Sequence, residues 1–165
     1  MTPLVQDLAL IALVGIGATA VMDIWLALIG RLGVPTLNFA LIGRWAGHAL
    51  RGRWTHEAIA KSPPVPGEAA LGWFVHYAIG VCFAGALAGV AGMAWMRSPS
   101  VLPALLLGMG TVVAPLFVMQ PAMGAGFASS RTATPLKNCL RSVMNHAVFG
   151  VGLYLAAAAL KSFPT

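Results

Sequence analysis

Charged side chains are scarce in this sequence, since Asp, Glu, Lys and Arg account for only 8% of its 165 residues. A soluble domain usually carries about 25% of such residues. Hydrophobic residues make up 59% of the chain instead. This composition excludes an ordinary water-soluble domain and predicts a single integral membrane domain over residues 1–165.

Cysteine is also scarce, and acidic residues are few. Cys82 and Cys139 form no CxxC pair and no zinc pattern, so we expect small packing residues rather than a disulfide or metal ligands. Lys and Arg outnumber Asp and Glu by ten to four. The basic residues lie between apolar stretches, which is typical of loops beside an anionic lipid surface. The sequence therefore predicts the lipid bilayer as a partner and no nucleic acid.

Four stretches are long and apolar enough to cross a bilayer, for which about 20 residues are needed. They cover approximately residues 4–30, 68–96, 101–120 and 139–161. No Lys or Arg precedes the first apolar run, which favours an uncleaved helix over a signal peptide. The sequence thus predicts an all-α fold, a bundle of four transmembrane helices.

The first loop contains a further helix candidate, at residues 38–53 approximately. At helical spacing its apolar side chains gather on one face, and Arg44, His48 and Arg51 gather on the opposite face. We predict an amphipathic helix that lies in the membrane interface. The alternative is a solvated basic face on a helix that packs against the bundle. His48 and, further along, His56 are expected to have ordinary solvated roles.

The basic residues also predict the orientation of the chain. Eight of the ten Lys and Arg residues lie in the first and third loops or at the start of the fourth helix. Because loops rich in Lys and Arg stay in the cytoplasm, both long loops are predicted to be cytoplasmic and both termini outside.

Five polar residues lie within or at the ends of the predicted spans: Asp23, His76, Gln120, Asn145 and His146. Such residues are expensive in a bilayer and usually face the interior of a bundle. Counted along helices of alternating direction, all five lie near the face that carries the long loops. Asp23, His76 and His146 are each roughly 10 Å from that face, at about 1.5 Å per residue. We predict that these residues line a ligand-binding site.

Three interpretations of this polar cluster stay open. The side chains could join the helices by hydrogen bonds alone. Asp23, His76 and His146 could instead hold a divalent metal ion, since two histidines and a carboxylate suit first-row metals. A histidine beside a carboxylate could also form part of a path for a proton or a solute, because histidine titrates near neutral pH.

The third loop adds candidate ligand-binding residues. Its glycines, hydroxyls and Arg131 offer donors that suit a phosphate or a carboxylate, and Arg141 follows close by. The order of residues is not that of a P-loop. The alternative is that the glycines only turn the chain.

Three stretches together resemble a family of small bacterial inner-membrane proteins of unknown function. They are GATAVMDIW (17–25), GRWAGHALRGRWTHEAIAKSPPVPGEAALGWFVHYAIG (43–80) and QPAMGAGFASSRTATPLKNCLRSVMNHAVFGVGLYL (120–155). The resemblance implies a four-span membrane domain in a bacterial inner membrane. It implies no activity and no ligand.

The sequence favours a protein that binds or transports a small solute, a proton or a metal ion, and a homo-oligomer is expected because four spans enclose a path poorly. A membrane-embedded enzyme, with or without a metal, is the second hypothesis. A structural accessory subunit is the third.

Overall fold

The computed structural model describes residues 2–161, and over that range the chain is helical without a β-strand. Its helices are α1 (Pro3–Arg31), α2 (Phe39–Ala49), α3 (Glu68–Ala91), α4 (Met93–Arg97), α5 (Val101–Gly110), α6 (Gln120–Ala122) and α7 (Pro135–Lys161). Four segments are long and apolar enough to cross a membrane: α1, α3, the run Val101–Ala122, and α7. The predicted all-α fold with four membrane-spanning helices and a helix in the first loop is confirmed.

The helix in the first loop ends at Ala49 rather than at residue 53. Two predicted ends of the spans are also wrong, and each has a local cause. The second span ends at Ala91 rather than at residue 96, because Gly92 has a φ of 80° and starts a separate short helix. Positive φ is a conformation that glycine adopts readily and that interrupts an α-helix. The fourth span begins at Pro135 rather than at residue 139. Proline suits the first position of a helix, since that N–H has no partner within the helix.

The third span is not a regular α-helix throughout. A π-helical segment, Ala114–Met119, lies between α5 and α6. Pro115 has no N–H to donate to the carbonyl four residues earlier, so the regular α-helical pattern cannot continue there.

The described residues divide into two compact units. The first unit comprises residues 2–35, 77–111 and 145–161, and the second comprises 36–76 and 112–144. In the first unit, α5 and α7 approach closely through Gly108 and Gly150, where an added Cβ would collide with the opposite backbone. Small residues at such crossings permit the van der Waals contact that holds membrane helices together.

In the second unit, α2 packs against the first turns of α3. A Cβ at Gly43 would meet the backbone of Glu68, and a Cβ at Gly72 would meet the backbone of Phe39. The side chain of Asn38 caps α2 by accepting a hydrogen bond from the Ala40 N–H at 3.0 Å. Because the two helices touch through their backbones, the loop that joins them is held at the start of the second span.

Candidate functional site

A cleft with a volume of about 790 Å³ lies in the second unit. It is formed by the first loop, with one contribution from the end of the third span and one from the third loop. The residues that line it are Arg53, Thr55, His56, Glu57, Ala58, Lys61, Ser62, Pro63, Pro121 and Arg131. The volume is within the range of roughly 300–1,000 Å³ that small-molecule sites occupy.

Backbone hydrogen bonds fix the floor of this cleft. The His56 N–H donates to the Ala122 carbonyl at 2.9 Å, and the Ile59 N–H donates to the Met123 carbonyl at 3.0 Å. Gly124, with a φ of 94°, packs against the backbone of Glu57 so closely that a Cβ has no space. The first loop is therefore attached to the end of the third span.

One wall of the cleft is held by residues of α2. The Arg44 guanidinium donates from Nη1 to the carbonyls of Ala60, at 3.2 Å, and Ser62, at 3.1 Å. His48 Nε2 lies 2.9 Å from the carbonyl oxygen of Pro63. These contacts order the proline-rich end of the loop before the second span begins.

His56 is a buried histidine of the cleft. Only 6% of its surface is exposed, and neither ring nitrogen has a hydrogen-bond partner among the residues described. The ring of His48 lies 5.1 Å away between centroids. Burial lowers the pKa of His56, and the positive charge of Arg53 and the proximity of His48 lower it further, whereas the backbone of Ala122 offsets part of this by raising it. In the free protein the ring is accordingly neutral near pH 7.

The charge around His56 is predominantly positive. Arg53, Lys61 and Arg131 line the cleft, and Glu57 supplies the one carboxylate among its lining residues. Guanidinium groups bind phosphate and carboxylate oxygens through two parallel hydrogen bonds, and an ammonium adds a compact positive charge. The arrangement therefore suits a small anionic ligand.

The solvated role expected for His56 is wrong, since the ring is buried. The burial of His56 depends on Ala122, at the end of α6, and on Gly124 just beyond it, which are far from position 56 in the sequence. No periodicity around position 56 carries that information. The basic residues on either side of it, Arg53 and Lys61, were the available signal.

Two of the predicted site residues pair with aromatic side chains in the first unit. The Asp23 carboxylate accepts a hydrogen bond from the Tyr77 hydroxyl at 2.9 Å. The side-chain oxygen of Asn145 accepts one from the Trp25 indole N–H at 3.0 Å. Each pair joins α1 to another spanning helix.

His146, also in the first unit, bonds to the end of α5. Its Nδ1 lies 2.7 Å from the Thr111 hydroxyl oxygen, and that hydroxyl donates to the Gly108 carbonyl at 2.6 Å. A hydroxyl has one proton to donate. The Thr111 oxygen must therefore accept from His146, which assigns the proton to Nδ1.

The other predicted site residues belong to the second unit. The His76 ring lies 4.4 Å from the ring of Phe39 between centroids. Gln120 accepts a hydrogen bond from the Ser129 hydroxyl at 2.9 Å. Arg131 lines the cleft. Nη1 of Arg141 lies 3.5 Å from the side-chain oxygen of Asn138.

Across residues 2–161, no group of three or more His, Cys, Asp or Glu side chains is arranged to hold a metal ion. A divalent metal on Asp23, His76 and His146 stays a prediction. In the third loop, the Ser129 hydroxyl donates to the Gln120 side-chain oxygen, and the Thr132 hydroxyl donates to the Ser129 carbonyl. Of that predicted anion-binding group, Arg131 is the member that reaches the cleft.

A comparison with protein families matches residues 12–160 to the family described as "Protein of unknown function (DUF2938)". No curated protein and no solved structure matches the chain.

Proposed function

We propose that this chain, which belongs to the DUF2938 family of proteins of unknown function, is a membrane protein that binds a small anionic solute in the cleft of its first loop. The observation that carries the proposal is His56, which is buried without a hydrogen-bond partner within residues 2–161, in a cleft that three cationic side chains line. An unsatisfied buried polar group costs about 1–3 kcal/mol. A ligand that reaches the ring would remove that cost.

The chemistry of the lining selects the class of ligand. Arg53 and Arg131 suit the paired oxygens of a phosphate or a carboxylate, and Lys61 adds a third positive charge. The cleft adjoins the end of the third span, so two sources of this chemistry are within reach. One is a free phosphate- or carboxylate-bearing solute, and the other is the headgroup of an anionic lipid.

Binding can be measured by isothermal titration of the detergent-purified protein with inorganic phosphate, sulfate and citrate. We expect saturable binding of at least one, and Arg131→Ala should weaken it by about tenfold or more. Arg31→Ala is the matched control, because Arg31 is an exposed arginine at the end of α1 that does not line the cleft. An equal loss in both variants, or no saturable binding of any anion, would refute the proposal.

The same titration in nanodiscs distinguishes the two sources of the ligand. Phosphate binding that persists in phosphatidylglycerol nanodiscs identifies a free solute. Phosphate binding in phosphatidylcholine nanodiscs that disappears in phosphatidylglycerol nanodiscs identifies a lipid headgroup, since the lipid then occupies the cleft.

We also propose that the cleft faces the cytoplasm of a bacterial inner membrane, with both termini outside. The concentration of eight of the ten Lys and Arg residues in and beside the two long loops supports this orientation. Alkaline phosphatase fused after Lys161 should be active in cells, whereas green fluorescent protein at the same point should be dark. A fluorescent, phosphatase-inactive pair of fusions would reverse the orientation.

A further inference from the structure

We propose that binding of the anion is coupled to uptake of one proton, and that the ring of His56 receives it. This inference rests on the proposed function and deepens it. It follows from the geometry of the free cleft, in which His56 is buried, has no hydrogen-bond partner among the described residues, and is surrounded by cations.

The titratable and charged side chains around His56 come from α2, from the first loop and from the third loop. The neighbouring ring of His48 comes from α2, and the loop itself contributes Arg53, Glu57 and Lys61. Arg131 comes from the third loop. Because three of these are cations and one is a carboxylate, adding a proton to the ring of the empty cleft is unfavourable.

An anion in the cleft changes this balance. Its negative charge opposes the charge of the arginines and the lysine. Its oxygens accept a hydrogen bond from a ring N–H that has no acceptor in the part of the chain that the structure describes. Both effects favour the charged form of a histidine. A group that becomes easier to protonate when a ligand binds takes up a proton on binding.

His48 is the neighbouring histidine and provides the internal control. Its Nε2 already lies 2.9 Å from the Pro63 carbonyl oxygen, which an N–H at that position can use as an acceptor. It is only partly buried, so its ring reaches solvent without a ligand. The described geometry therefore assigns the proton to His56 rather than to His48.

Sulfate is the appropriate probe, because it stays doubly charged at neutral pH and contributes no proton of its own. Titration of the whole purified protein with sulfate, in buffers of different ionisation enthalpy at about pH 7, yields the number of protons exchanged. We expect an uptake of close to one proton per sulfate for the wild type. His48→Gln should bind sulfate with the same uptake. In His56→Gln sulfate binding should be weaker, and the sulfate that still binds should bring no proton with it.

A direct measurement on the wild type removes dependence on the variant. In protein labelled with ¹⁵N-histidine, addition of sulfate should move the His56 ring nitrogens from the neutral to the imidazolium range of chemical shift. Sulfate binding without proton uptake, or uptake that persists in His56→Gln, would overturn the coupling and leave anion binding intact. Failure of the wild type to bind phosphate, sulfate or citrate would instead overturn the proposed function, and the coupling with it.

Discussion

Arg44 of α2 and Glu68 at the start of α3 are joined by two parallel hydrogen bonds. Nε of Arg44 donates to Oε2 of Glu68 at 2.9 Å, and Nη2 donates to Oε1 at 2.7 Å. The side chains are 14% and 18% exposed, respectively. Glu68 Oε2 also accepts from the Val65 N–H at 3.0 Å. The pair thus joins α2, the wall of the cleft and the second span.

Replacement of Arg44 by lysine should destabilise the protein although the charge is kept. Lysine cannot form two parallel bonds to a carboxylate and also reach the carbonyls of Ala60 and Ser62. We expect a melting temperature several degrees below that of the wild type in detergent. Arg51→Lys, at an exposed position just beyond α2, is the control and should melt as the wild type does. A wild-type melting temperature for Arg44→Lys would show that the paired geometry is unimportant.

Substitution of Gly72 by alanine should cost about 1–3 kcal/mol, the usual cost of overpacking. The new Cβ would lie 2.6 Å from the carbonyl carbon of Phe39, against backbone that cannot move aside easily. Gly89 lies on the same helix, and a Cβ there meets nothing within 4 Å. Gly89→Ala should therefore be neutral or slightly stabilising, in line with helix propensity. Equal unfolding free energies for the two variants would contradict the backbone contact between α2 and α3.

Thr111→Val should destabilise the first unit by about 1–2 kcal/mol, because the part-buried hydrogen bond between Thr111 and His146 is lost. Thr111→Ser keeps the hydroxyl and should lose much less. Denaturant or thermal unfolding in detergent measures the difference. If valine and serine have the same effect, the hydrogen bond to His146 does not contribute to stability.

The stability of the ligand-free protein should fall with decreasing pH through His56. Its pKa in the folded state is lowered by burial, by Arg53 and by His48, so below about pH 6.5 the unfolded chain binds a proton that the folded chain resists. The free energy of unfolding should decrease from about pH 7.5 towards pH 5.5. His56→Gln should show a smaller decrease over this range. A slope identical to that of the wild type would mean that His56 titrates normally.

The four spans could be predicted from the sequence because length and apolar composition alone determine whether a helix can cross a bilayer. Their ends could not be predicted as well. A glycine such as Gly92 can continue or break a helix, and only its φ of 80° decides. The start of α7 at Pro135 was easier to predict from the sequence, since proline commonly occupies the first position of a helix.

The candidate site was predicted less well than the fold. Depth along the spans grouped Asp23, His76 and His146. The structure pairs Asp23 with Tyr77 and His146 with Thr111. The cleft itself depends on contacts between the first loop and Ala122–Gly124. Contacts between segments far apart in the chain leave no local pattern in the sequence. For this reason the burial of His56 could not be predicted.

The floor of the cleft is held by main-chain atoms, namely the N–H groups of His56 and Ile59 and the carbonyls of Ala122 and Met123. A framework made of peptide groups is indifferent to most side-chain replacements along it. Natural variants could therefore exchange the residues at positions 53, 57 and 61 and acquire new ligand preferences while the framework persists. The shape and the chemistry of the cleft therefore depend on different atoms: main-chain hydrogen bonds hold its floor, and side chains supply the charge of its lining.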